Sequence, residues 1–283
     1  MHLHATLASF ALLLLSSSLP FARESAPQED VRARFEALDD QHDEAALVQL
    51  WKDHPGETLG TIDSYLEGSL KKLERDPKVA PAELAAMRAR AVRGAKAADI
   101  AFGTAIFSDY AAAFASWKPE EQKRFRAGQS LFREALQALK KNDARACVDK
   151  ARASLELALP LGDWWGSAMA WNAMARGEAA SNEPAKALEH ALQARLVDHD
   201  LRLLDSEADD LALAAAAASA LDAHGRALSL ARAGATLAHE LADRDAETKF
   251  LEQVLRAQEK LGDAEGMAKT REEIGRVPKP EKK

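Results

Sequence analysis

The chain has 283 residues, a net charge of −7, 47% apolar residues, 6% aromatic residues and one cysteine. An acidic balance of this size argues against nucleic acid and anionic membrane as main partners. A single cysteine excludes internal disulfides, so stability comes from packing, and the abundance of Ala, Leu, Glu, Lys and Arg points to an all-α chain.

Residues 1–22 contain no Asp, Glu, Lys or Arg, and the apolar run from Leu7 to Leu19 ends at Pro20. That run is shorter than the roughly 20 residues a spanning helix needs. It predicts a signal peptide, cut after Ala22 or Ser18, with an uncleaved anchor as the alternative. Export to the periplasm or the extracellular space follows, with no stable membrane insertion after cleavage. No cysteine follows the run, so it does not read as a lipoprotein signal. Residues 23–30 read as a flexible terminus.

Residues 31–117 read as an N-terminal helical region. Phe35, Leu38, Leu47, Leu50 and Trp51 give an apolar stripe over 31–53, which His54-Pro55-Gly56 stops. Leu59, Ile62, Leu66, Leu70 and Leu73 predict a second helix over 57–75. Pro81 opens a long helix to about Trp117, interrupted near Gly103. Its second half, with Ile100, Phe102, Ile106, Phe107, Tyr110, Phe114 and Trp117, is apolar nearly all round and predicts burial between other helices.

From Lys118 onward the sequence repeats. Leu131, Trp171, Leu211 and Leu251 are spaced by 40, and so are Ala135, Ala175, Ala215 and Leu255. Turn residues fall at Asn142-Asp143, Asn182-Glu183, Asp222 and Gly262-Asp263. Small or compact residues follow in columns: Cys147, Ala187, Ala227 and Met267, then Ala151, Ala191 and Ala231, then Ser154, Ala194 and Gly234. A first helix with a large and then a small residue, and a second helix with a small-residue stripe, make a hairpin that buries its apolar face only by stacking on neighbours. Residues 118–276 are therefore expected to form three to four such hairpins, with 277–283 a frayed tail.

The columns resemble the tetratricopeptide repeat family in its long, roughly 40-residue variety, over about residues 123–276. Trp171, Met174 and Ala175, then Ala187, Ala191 and Ala194, carry the resemblance, helped by the link Leu161-Gly162-Asp163-Trp164-Trp165-Gly166. The chain departs from the family in having no unit-closing proline, and Ala138, Glu178, Ala218 and Gln258 replace its usual tyrosine. The resemblance implies an all-α solenoid of helical hairpins whose first helices line a concave groove. Carried onto this register, Asn172, Arg176, Leu213 and Arg256 are the groove residues expected to hold a peptide. An arginine there would pair with a carboxylate. The Lys and Asn carboxylate clamp of some family members is not present. Trp164-Trp165 offers a further anchor if one indole stays exposed.

Catalytic and metal signals are weak. His42, Asp43, Glu44, His54, Asp63 and Glu67 form the densest set of candidate ligands, yet no H-E-x-x-H, phosphate loop or G-x-S-x-G is present. No catalytic residue, metal ligand or cofactor is assigned. Cys147 falls at a packing position and predicts a buried thiol. His190, His224 and His239 read as solvent-facing. The acidic run from Asp198 to Asp210 reads as a solvated link or a face for a basic partner.

The expected function is a non-catalytic protein- or peptide-binding scaffold or assembly factor of the cell envelope. The competing expectation is a small-ligand binder or enzyme with its site between the N-terminal helices and the array. It would show as a deep pocket lined by His42, Asp63 or Tyr110. A third reading has residues 31–117 packed along the groove and filling it.

Overall fold

A computed structural model describes residues 30–277. The expected signal segment, and nearly all of the expected flexible terminus and tail, lie outside the described residues. Among the described residues the chain forms thirteen α-helices and no strand.

The N-terminal region comprises α1 (Val31–Asp40), α2 (Glu44–Asp53), α3 (Pro55–Arg75), α4 (Pro81–Phe102) and α5 (Ile106–Ser116). The stripe over 31–53 is two helices, not one. His42 takes a left-handed φ of 56°, and the Asp43 carboxylate caps α2 by accepting from the Ala46 amide at 3.0 Å. α2 ends at Asp53, as the His54-Pro55-Gly56 stop predicts, and Pro55 at once occupies the first turn of α3, where no amide hydrogen is needed. Gly103, at φ 69°, separates α4 from α5, and Asp99 accepts the amides of Phe107 and Ser108 at 3.1 and 3.0 Å. As α4 ends there, Ile100 is left 58% exposed, contrary to the expected burial.

The array follows as four hairpins. They are α6 (Pro119–Lys140) with α7 (Ala144–Ala158), α8 (Trp164–Ala180) with α9 (Pro184–Asp200), α10 (Leu204–Ala220) with α11 (His224–Glu240), and α12 (Arg244–Leu261) with α13 (Ala264–Arg276). Each helix packs on the next, and successive first helices also touch, α6 on α8, α8 on α10 and α10 on α12. A helical-hairpin repeat array is thus what the sequence forms.

Its turns obey a shorter period than the sequence columns. Asn142, Gly162, Asn182, Arg202, Asp222, Ala242 and Gly262 stand twenty apart, and all have φ between 55° and 71°. After each, the next amide donates to a carbonyl five residues back, as Asp143 does to Ala138 and Leu203 to Asp198. This closes the preceding helix. Asp143, Asp163, Asp243 and Asp263 then cap the following helix through the amide three residues on. The 40-residue unit is therefore two near-equal halves: α8, α9, α10 and α11 each span 17 residues.

Two kinds of core result. The N-terminal helices bury an aromatic cluster that includes Phe35, Trp51, Phe107, Tyr110, Phe114 and Trp117. The array packs on small residues, for example Ala135, Cys147, Ala151, Ala170 and Ala173 between the first hairpin and α8. Small side chains let helix backbones approach closely while still burying apolar area. At Gly234 the space is taken by a neighbouring side chain, because a Cβ at that position would overlap the ring of Phe250, which is itself buried. Gly234→Ala is expected to destabilise the protein by about 1–3 kcal/mol, since overpacking outweighs the gain of about 1 kcal/mol in helix propensity. A thermal melt checks this; a rise in Tm would show that Phe250 moves aside freely.

Polar pairs replace apolar ones at one repeat position. Glu178 lies 2.7 Å from His190 Nδ1, and eighty residues on, two units further, Gln258 Oε1 accepts from the Thr270 hydroxyl at 2.9 Å. Both pairs tie the second helix of a hairpin to the first. His190, expected to face solvent, is consequently only 18% exposed at its side chain.

Candidate functional site: the first-helix face and its acid pair

Asn172 and Arg176 sit one turn apart on α8, Leu213 on α10, Arg256 on α12, and Trp164-Trp165 open α8. The fold brings the first two into one network. Arg176 Nε donates to Asn172 Oδ1 at 2.7 Å, and its Nη2 donates to Asp209 Oδ2 at 3.1 Å. Asn172 Nδ2 in turn donates to Asp210 Oδ1 at 2.6 Å, joining α8 to α10. Leu213 is partly buried against the alanine cluster of the second and third hairpins. Arg256 stands apart, exposed, as do Lys249 and Glu252 on the same helix. None of these three side chains makes a hydrogen bond or ion pair among the described residues.

Neither tryptophan of the pair is a free anchor. Both are partly buried against the aromatic core, which crosses from the N-terminal helices to the array through Phe125, Leu161 and Leu201. Trp117 Nε1 donates to the Leu161 carbonyl at 3.0 Å, and the Arg202 guanidinium lies 5.0 Å from the Phe102 ring centroid. Residues 31–117 therefore pack on the links that join units one to two and two to three.

The acidic run is only partly a solvated link. Asp198 is 3% exposed and Asp210 fully buried, while Glu207, 5% exposed, pairs with Arg195 at 3.3 Å and His199 at 3.0 Å. Asp198 and Asp210 face one another. Burial first, and then mutual repulsion with neighbouring carboxylates, pushes both acids well above the usual range. No cation pairs with either among the described residues. A proton shared between two such carboxyls is the state that removes the unpaired buried charge. The repeat register could have shown this. Positions equivalent to 198 and 210 are Ala158 and Ala170 in one neighbour, Ala238 and Phe250 in the next. Two acids stand where the array otherwise packs apolar side chains.

A second polar cluster lies where α3 and α5 meet α6 and α8. Tyr110 donates to Asp63 at 2.6 Å. Burial lifts Asp63 to about 6, against the Tyr110 hydrogen bond, and lifts Asp163 to about 7, against the Gly166 amide. Beside them Arg126 bridges Glu67 and Glu74, with Nη1–Oε1 at 2.8 Å and Nε–Oε1 at 2.7 Å, and Gln129 also donates to Glu67 at 3.1 Å. Tyr110 and Asp163 are buried, so this cluster is an interface polar network. Two surface cavities of about 720 and 330 Å³ are lined by other residues; neither includes His42, Asp63, Tyr110 or Asp163.

His42 is in the turn before α2, while His54 joins α2 to α3, so they do not share a helix. No group of three or more His, Cys, Asp or Glu is placed to hold a metal ion among the described residues. Cys147 is fully buried, and burial raises its thiol to about 11. No helix among the described residues is long and apolar enough to cross a membrane.

Fold and surface together define an all-α helical-hairpin array preceded by a packed helical region. A scan of family models and a search of curated proteins gave no match to the chain.

Proposed function

We propose that the chain is a non-catalytic scaffold of the tetratricopeptide kind, exported to the cell envelope, that holds a protein or peptide partner on its first-helix face. The supporting observation is the contrast along that face. Arg176 is fixed in place by Asn172 and Asp209, whereas Lys249, Glu252 and Arg256 stand exposed with no partner among the described residues. Fixed donors lower the entropy lost on binding, and unpaired charges at the far end leave room for a partner's carboxylate. Stacked hairpins supply the rigid, extended surface on which such recognition works.

The experiment is affinity capture of partners from the cell envelope with the wild type and with an Arg176→Glu/Arg256→Glu variant. We expect the variant to lose its main partner at least tenfold with its helical signal kept, and Arg256→Glu alone, whose side chain has no bond among the described residues, to weaken capture with an unchanged melting curve. The same partners at the same yield on both proteins would sink the groove reading.

A further inference from the structure

A groove of about 720 Å³ runs between α3, α4, α5 and the start of α6, walled by Leu73, Leu84, Val92, Ala115 and Pro119. Its volume falls within the roughly 300–1,000 Å³ of ordinary small-molecule sites. The walls are apolar, and two of the polar groups at them are already engaged. Arg93 is held bidentate by Asp39 at 2.6 and 2.7 Å, and Gln122 donates its side-chain amide to the Trp117 carbonyl at 3.0 Å.

Arg88 is different. Its Nε donates to the Ser69 hydroxyl at 3.1 Å and its Nη1 reaches the Ala115 carbonyl at 3.4 Å. Both partners are neutral, and no carboxylate pairs with Arg88 among the described residues. Its neighbours Arg90, Arg93 and Arg126 are all neutralised by acids. Burial alone lowers the Arg88 guanidinium from its ordinary value, as it would for a partly desolvated cation with no counter-charge. The remaining N–H groups of the planar fork match the two oxygens of a carboxylate.

We propose that this groove binds one free fatty acid, its carboxylate on Arg88 and its chain along Leu84, Val92 and Leu73. One uncompensated cation against an apolar wall selects a ligand with one charge and one apolar body. Among the residues that line the groove a polyanion would find no second free cation, because Arg93 is spent on Asp39.

The test titrates the full-length chain with a fluorescent long-chain fatty acid below its micellar concentration. We expect saturable binding at one site, at least tenfold weaker in Arg88→Met and restored in part by Arg88→Lys. The matching long-chain alcohol should bind the wild type at least tenfold more weakly than the acid. Ala89→Glu, an exposed position in the same groove, should block the site by supplying an internal carboxylate even if Arg88→Met fails to fold. Equal affinity of wild type, Arg88→Met and Ala89→Glu, or uptake that never saturates, would overturn the proposal. Tighter binding of an alkyl phosphate than of the fatty acid would overturn the choice of carboxylate.

Discussion

Asp210→Asn is expected to stabilise the protein, by about 1–3 kcal/mol at pH 8–9 and by progressively less toward pH 4. The folded state holds Asp210 and Asp198 above the usual carboxylate value, so it binds a proton more tightly than the unfolded chain does. Stability from such a group is fully present below the unfolded value. It is lost as the pH rises through the raised folded value. Asparagine imitates the protonated acid: its oxygen can still accept from Asn172, and its amide can donate to Asp198. The variant therefore escapes the loss that the wild type suffers on the alkaline side. Melting curves of both proteins at pH 5, 7 and 9 decide the matter. A variant that melts lower at every pH, by an amount that does not change, would show that Asp210 is charged and satisfied in the fold. Such sensitivity lies between α9 and α10, beside the Asn172–Arg176 latch, and so links acidity to the face proposed to bind.

Trp117→Ala is expected to be the most damaging single change, at about 3–5 kcal/mol, or on the order of 10 °C in Tm for a chain of this size. The indole stacks on Phe114 at 4.2 Å and lies 4.9 Å from Phe125 between ring centroids. It also satisfies the Leu161 carbonyl, which its loss would leave unpaired in a buried setting. Because Phe125 and Leu161 belong to the array and Phe114 to α5, this side chain ties the two regions. Calorimetry should show one transition for the wild type and a broadened or divided one for the variant, with the array outlasting the N-terminal helices. Trp117→Phe should recover most of the stacking but not the hydrogen bond. A loss below 1 kcal/mol for the alanine variant would mean that the two regions are joined elsewhere.

The repeat columns made the array legible because each is filled by packing between successive helices, and packing fixes residue size at a fixed spacing. The half-period of twenty was hidden. It is carried by backbone conformation, and left-handed turns are occupied by residues as different as Gly162, Arg202 and Ala242. The same limit applies to the candidate binding face. Asn172 and Arg176 were identifiable as neighbours one helical turn apart. Their bonds to Asp209 and Asp210 cross from one unit to the next, and no spacing rule within a helix reports those.

The sequence alone determines an all-α chain, hairpin repeats from Pro119 onward and a buried thiol at Cys147, since propensity, period and residue size are local properties. Tertiary structure alone decides the rest. It seats Trp164 and Trp165 on the N-terminal core, divides the stripe over 31–53 at His42, and buries Asp198 and Asp210 together. It also leaves Arg88 without an acid among the described residues. Each of these depends on what another helix places opposite a side chain, and burial and charge pairing exist only once the helices have met.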